Sequence, residues 1–497
     1  MSDFLQIMPE VFIALTLAFV VLGELTYHGE QLRLISATAL VGLGGAFVQT
    51  LIAHHAGNTH AFGQALAIDG LSCFFRLFFI LMAGFSVLIA SFGAEIAHER
   101  RSEYFALILG ATLALCLASS STDLMLSFLA LQLANLVSGF LAGYGRRSPR
   151  STEAGTKFLI FSAIAGAFLL YGLALLFTHT HTMNLGEIHQ ALLRTPLPRE
   201  TGLTIFMMIF LSLLFQMGAF PMYLWAPDVI EGAPSPAAAV IAVGSRAAGF
   251  VVALRLLMTV FGQPALSVEE WQVLGNLNWP DVVAAVAGLS MICGGFLAIG
   301  QKSAKRMIGC LMVVTSGQLL LGVLVMDIQG IAAVLYNLFV DLFALIGTFF
   351  VLGLFYDELH SDQLSAFPGI LRRAVPECVC LIIFLLTLVG LPPTPGFVGK
   401  FILIEVAIRH GRTGLGAVAI ASIALSLFAV ARLFYSLIDP FDGSGKAPEP
   451  SPLVGASSRL LPRRVVLALL AAPVLLMSLF AEHVLAWAGK SLSLILW

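Results

Sequence analysis

Apolar stretches of about 20 residues, repeated along almost the whole chain, leave this sequence one class of fold. A stretch of that length crosses a bilayer as a helix, because lipid offers no partner to a backbone N–H or C=O. About fourteen such spans follow from length alone, with cores near 5–26, 33–53, 71–93, 104–119, 123–144, 157–178, 203–223, 235–261, 281–300, 306–326, 330–355, 375–409, 414–438 and 465–487. Charged residues make up 11% of the chain and apolar ones 59%, which excludes an ordinary soluble domain, where charge is nearer ~25%. The expected fold is therefore an all-α polytopic membrane protein. A net charge of −2 gives nucleic acid no basic surface to bind. The six cysteines, at 73, 116, 293, 310, 378 and 380, mostly lie in apolar runs and read as packing residues. The sequence has no nucleotide loop, haem motif or iron–sulfur ligand set, and no basic region of a cleavable signal opens it.

Two spans are interrupted. The twelfth contains Pro392, Pro393 and Pro395, followed by Lys400. Proline donates no backbone hydrogen bond and frees carbonyls one turn earlier. In lipid such groups are tolerated only where protein or a wet cavity covers them. An ammonium at that depth costs at least ~2.5–3.5 kcal/mol. The seventh span breaks near Pro221 and Pro227. The breaks are five spans apart, so the segments run in opposite directions, as in an inverted repeat of spans four to eight onto nine to thirteen. Broken helices in matching positions are how transporters build ion sites.

Loop charge orients the spans. With the N-terminus outside, 16 of the 26 Lys and Arg fall in cytoplasmic loops and 5 in outer ones. Both termini are then on the outer side. Arg76, Arg246, Arg255, Lys400 and Arg432 remain inside spans. The expected organisation is an N-terminal three-helix segment (1–100), two repeat halves (101–262 and 281–438), a cytoplasmic linker (439–464) and a C-terminal helix (465–497).

Three motifs carry a family resemblance. They are Ser151-Thr152-Glu153-Ala154-Gly155-Thr156-Lys157, the stretch Pro221-Met222-Tyr223-Leu224-Trp225-Ala226-Pro227-Asp228-Val229 running on to Gly232-Ala233-Pro234-Ser235-Pro236, and Gly390-Leu391-Pro392-Pro393-Thr394-Pro395-Gly396-Phe397-Val398-Gly399-Lys400-Phe401. With them the chain resembles the subunit N family, antiporter-like membrane subunits of the proton-pumping NADH–quinone oxidoreductase (respiratory complex I). The resemblance covers nearly the whole chain. It implies a bacterial cytoplasmic-membrane subunit that contributes to proton translocation beside sister membrane subunits. It also implies that NADH, FMN, iron–sulfur clusters and quinone belong to partner subunits, with no cofactor in this chain. The family moves protons along a central line of lysines gated by a Glu–Lys pair.

Carried over residue by residue, that line mostly changes. The fifth-helix glutamate falls on Gln132, the seventh-helix lysine on Gln216, the eighth-helix lysine on Arg246 and the tenth-helix histidine on Thr315. Only Lys400 is retained. Glutamine neither takes nor gives a proton at working pH, and arginine stays charged. The relay candidates are therefore Lys400, Gln132, Gln216, Arg246 and Thr315. Asp341 joins them as a possible new partner for Lys400 or Arg246, and Glu405 as a group on the wet path or in a pair with a neighbouring helix. An impaired or altered relay is expected. A structural, non-pumping subunit and a member of a cation/proton antiporter complex stay open as alternatives. Among the other charges, Arg76 and Arg432 read as subunit contacts or snorkelling residues. Glu153 and Lys157 read as an i,i+4 pair. Asp228 and Glu231 read as inlet or helix-capping groups. His179 and His181 are too few for a metal site.

Overall fold

Each apolar run becomes a helix, because only a helix satisfies its own backbone in lipid. The computed structural model describes residues 6–27, 32–93, 95–96, 100–145, 148–264, 271–273, 278–439 and 460–493. In chain order its helices are α1 (Met8–Tyr27), α2 (Leu32–Ala56), α3 (Gly70–Phe92), α4 (Arg101–Ser120), α5 (Leu124–Ala142), α6 (Pro149–Thr180), α7 (Leu185–Arg194), α8 (Arg199–Met217) and α9 (Trp225–Gly232). There follow α10 (Ser235–Phe261), α11 (Trp279–Ile299), α12 (Ala304–Val325), α13 (Ile328–Leu359), α14 (Val375–Val389), α15 (Pro395–Arg409), α16 (Thr413–Ile438), α17 (Leu460–Leu479) and α18 (Ala481–Ser493). Among the described residues, thirteen helices are long and apolar enough to cross a membrane. The twelfth span is made of two fifteen-residue helices, α14 and α15. The expected all-α polytopic fold and its span order are both present.

Asp69, Asp123, Asn184, Ser303 and Asp327 start α3, α5, α7, α12 and α13 by accepting hydrogen bonds from first-turn N–H groups. The helix α10 is buried throughout its span, and α12 and α13 almost so; α1, α2, α16 and α17 turn most of their residues outward. The outward faces carry large apolar side chains such as Phe19, Val41, Phe428 and Tyr435, as lipid or an apolar partner requires.

The two breaks share a geometry. Gly218 and Gly390 both adopt left-handed backbone, with φ of 65° and 86°. In both, the next residue reaches back across the last turn: Ala219 N to Leu214 O (2.9 Å) and Leu391 N to Leu386 O (3.1 Å). A proline follows each glycine after three residues, and both prolines are in cis peptides.

The C-terminal segment differs from the expected single helix. It bends after α17, and α18 is a separate amphipathic helix. Its thirteen residues reach only about 20 Å, too short to span. Trp487 packs on Phe74 of α3 and Phe339 of α13, with ring centroids 4.7 and 5.6 Å apart. The linker expected at 439–464 lies outside the described residues from 440 to 459, and Leu460 already begins α17.

Candidate functional site

A broken helix leaves carbonyls and N–H groups that must find partners. At the first break the Phe215 carbonyl accepts from Trp225 Nε1 (3.1 Å), the Met217 carbonyl accepts from Ser316 Oγ (2.6 Å), and Phe220 N donates to Ser290 Oγ (2.9 Å). At the second break the partner is a charge. Lys400 Nζ donates to the carbonyls of Leu388 and Val389, the latter at 3.1 Å, in the last turn of α14. A cation at a helix C-terminus faces the negative end of the helix dipole. The lysine stem runs over Gly390, where a Cβ would lie 2.6 Å from Lys400 Cδ, so this glycine is needed for both its φ and its space.

A line of polar groups, buried except for half-buried Gln132, links α5, α8, α10, α12 and α13. Asn135 Nδ2 donates to Gln132 Oε1 (3.3 Å), Gln216 Nε2 donates to Asn135 Oδ1 (2.9 Å), and Ser245 Oγ donates to Gln216 Oε1 (2.6 Å). Ser245 closes a π-helical turn, Ile241–Ser245, and Arg246 follows it. Such turns often mark functional positions in helices. Arg246 Nη1 donates to Thr315 Oγ1 (2.7 Å) and Nη2 to Asp341 Oδ2 (2.8 Å). Arg246 is 1% exposed and Asp341 3%. Lys400, 5% exposed, lies within electrostatic reach of both. The structure thus buries Gln216, Arg246, Thr315, Asp341 and Lys400, with half-buried Gln132 joined to them through Asn135. The first half of the line is neutral, and the charges gather in the second.

Glu405 stands apart. It is half-exposed and pairs with Arg409 of its own helix (2.5 Å), which also donates to Gln329 Oε1 (3.3 Å). Asn135, Ser245 and Gln318 were not singled out from the sequence. Gln318 Nε2 donates to Ser422 Oγ of α16 (3.0 Å). Asn135 lies three residues after Gln132, one turn along the helix, and that spacing is the signal by which the sequence could have revealed it.

Two readings of charges are corrected. Arg76 neither snorkels nor faces a partner: it is fully buried, and its Nε donates to Glu10 Oε1 of α1 at 2.7 Å. Arg432 donates to the carbonyls of Ile299 and Gln301 and so caps the end of α11. Arg255 makes a two-pronged pair with Asp69 (2.8 and 3.0 Å) and donates to the Ser119 carbonyl (2.7 Å). An isolated charge in an apolar run demands a partner, but sequence alone does not say which.

On the side expected to be cytoplasmic, α6, α9 and α12 surround a cleft of about 320 Å³. Lys157 bonds Asp228 (2.6 Å) and Glu153 (2.7 Å), and Arg306 bonds Asp228 (2.7 Å) and Glu231 (2.9 Å). Among the described residues, no group of three or more His, Cys, Asp or Glu is placed to hold a metal ion.

Residues 121–426 match the family described as NADH:quinone oxidoreductase/Mrp antiporter, TM. The chain is 31% identical over 442 residues to the NADH-quinone oxidoreductase subunit N of Chlorobium chlorochromatii, covering 87% of this chain and 84% of that one. It is 32% identical over 408 residues to subunit N 2 of Chloroherpeton thalassium, covering 81% and 78%. Its fold is similar to a chain of respiratory complex I from Thermus thermophilus (TM-score 0.77, 24% identity, 97% and 99% covered). It is also similar to a chain of the Mrp complex from a Dietzia species (TM-score 0.80, 19% identity, 98% and 97% covered). With three fifths of its length inside the family match and subunit N relatives above 30% identity, the chain belongs to the NADH:quinone oxidoreductase/Mrp antiporter transmembrane family.

Proposed function

We propose that this chain is a subunit N-type member of a bacterial NADH–quinone oxidoreductase, and that it contributes to proton translocation coupled to electron transfer from NADH to quinone. Sister membrane subunits flank it in the cytoplasmic membrane, with both of its termini outside. The redox cofactors and quinone belong to partner subunits, and this chain carries no redox centre. The observation behind the reading is the bonded polar line that runs from Gln216 at the first break to Asp341, together with Lys400 buried at the second break.

The relay is altered. Gln132, Asn135, Gln216 and Ser245 can orient water but cannot store a proton. Arg246 keeps its charge. Lys400 is then the carrier, with Asp341 in place of the lost glutamate. Arg246, Asp341 and Lys400 are balanced in charge only while the amine is neutral; a proton on it adds one uncompensated buried charge. A shift of Asp341 toward Lys400 favours the loaded amine, and its return to Arg246 favours release to a water molecule. Thr315 helps hold Arg246 in place for that exchange.

Lys400→Met in the assembled complex tests the reading. The expected result is a lower proton-to-electron ratio in proteoliposomes, with assembly intact. An unchanged ratio sinks it. One observation favours a second reading: Lys400 Nζ completes the end of α14 as a purely structural cap does. That reading, a non-pumping subunit, predicts the unchanged ratio. The fold alone does not separate the oxidoreductase from cation/proton antiporter complexes, and the subunit N relatives favour the former. Neighbouring genes for flavin and iron–sulfur subunits are expected; exchanger genes there reverse the choice.

A further inference from the structure

Three fully buried aromatic rings pack together on α6, α8 and α9, the helices that carry residues of the charged cleft and of the polar line. On α6, Phe158 follows Lys157 directly, and on α9, Trp225 is one turn before Asp228. Both ion-paired residues line the cleft, and both aromatic residues are fully buried. Phe215 of α8, also fully buried, completes a set of three rings. Their centroids are 5.0 Å (Phe158 to Trp225), 5.3 Å (Phe215 to Trp225) and 5.4 Å (Phe158 to Phe215) apart. Phe215 is the residue before Gln216. Trp225 is tied to its backbone by the Nε1 bond to the Phe215 carbonyl at 3.1 Å. Each ring is thus next to, or one turn from, a residue of the cleft or of the line: Phe158 beside Lys157, Trp225 before Asp228, and Phe215 beside Gln216.

We propose that Phe158, Phe215 and Trp225 form a hydrophobic gate, closed in this structure, between the charged cleft as the water-filled inner mouth and the polar line at Gln216. A cluster of apolar rings excludes water, and without water a proton has no path across it. The first half of the line holds no titratable group, so it has no switch of its own. The gate supplies one by controlling when water reaches Gln216. The indole bond to the broken end of α8 couples the gate to the first break: any movement of that end pulls on the Trp225 ring. The Lys157 and Arg306 ion pairs with Asp228 hold α9, and with it Trp225, against α6 and α12.

The inference rests on the reading that protons move through this chain, but its test does not depend on pumping. The assembled complex is reconstituted in proteoliposomes, and passive proton conductance is measured without NADH. Trp225→Ala and Phe158→Ala are expected to raise that conductance several-fold. Trp225→Phe keeps a ring and is expected to leave it near the wild-type level. Phe158→Leu keeps an apolar plug with less bulk and falls between. A cysteine at Ser245, behind the rings, is expected to react with a water-soluble maleimide from the inner side in the Phe158→Ala background and not with Phe158 in place. Conductance and labelling unchanged in the assembled alanine variants overturn the gate. If one alanine variant does not assemble, the other and Phe158→Leu decide in the same way. An unchanged proton-to-electron ratio in Lys400→Met sinks the pumping reading instead and leaves the conductance result to be judged by itself.

Discussion

Replacing Arg76 by Leu tests whether the N-terminal unit is dry where the structure places its ion pair. Arg76 is fully buried and Glu10 is 4% exposed. Nε donates to Oε1 at 2.7 Å, while Nη1, Nη2 and Glu10 Oε2 have no partner among the described residues. Removing the guanidinium leaves a carboxylate with no counter-charge, which must then fold protonated. Neutralising a carboxylate of ordinary pKa ~4.3 at pH 7 costs 1.36 kcal/mol for each of ~2.7 units, or close to 4 kcal/mol. That agrees with the ~3–5 kcal/mol seen on breaking buried pairs. The sign with pH follows. The folded variant binds a proton that its unfolded form does not hold, so its stability falls as pH rises. Between pH 6 and 8 the loss grows by about 2.7 kcal/mol.

The assay is the melting temperature of the purified complex across that pH range, with retention of the chain in the assembly after heating. A fall of several degrees at pH 7, partly reversed at pH 6, is expected. The double variant Glu10→Gln/Arg76→Leu has the same lost packing but no charge, so it is expected to recover most of the stability and lose the pH slope. If the single variant melts with the wild type at every pH, water reaches the pair and the dry reading is wrong. If the double variant is as unstable as the single one, packing and not charge accounts for the loss.

Two further outcomes follow from named contacts. In Gly166→Ala, the new Cβ lies 1.7 Å from Gln132 Nε2, so Gln132 must swing or α6 must move away from α5. A loss of ~1–3 kcal/mol is expected, read as reduced chain retention in the assembly on heating. In Asp228→Asn, both Lys157 and Arg306 lose a carboxylate. These cations are more than a third exposed, so the loss is expected to stay at or below ~1 kcal/mol and to vanish in high salt.

The spans and breaks were legible because lipid permits so few backbone arrangements. A twenty-residue apolar run has one solution, and a proline cluster inside it has few. Lys400 stood out from its place beside the proline break, whereas Gln132, Gln216 and Arg246 were candidates only through the family resemblance. Their partners were not legible, because a hydrogen bond from α8 to α5, or from α10 to α13, depends on how helices distant in sequence rotate against each other. Glu10 shows the limit. In the sequence it reads as one acid near the start of the first span, and only packing sets it against Arg76, 66 residues away. The end of the chain was misread for a related reason. Its apolar content fits one span, but Glu482, His483 and Lys490 turn the last part into a surface helix.

The five basic residues inside the spans divide by chemistry. Arg76, Arg246 and Arg255 are permanent cations, and each is bonded to a buried carboxylate: Glu10, Asp341 and Asp69. Arg432, half-buried, caps carbonyls at the end of α11. Lys400 differs from all four. It is deeply buried, yet its bonded partners among the described residues are two carbonyls, and Asp341, the carboxylate within its electrostatic reach, is already bonded to Arg246. Stability alone argues for the opposite arrangement, because an ammonium without a bonded counter-charge is the costliest cation to bury. A lysine can avoid that cost by giving up its proton, which an arginine cannot. Permanent charges therefore have permanent partners here, and the single deep cation without one is the only one able to discharge. A structural cap uses only the charge of Lys400, whereas the carrier proposed above also uses its ability to lose that charge.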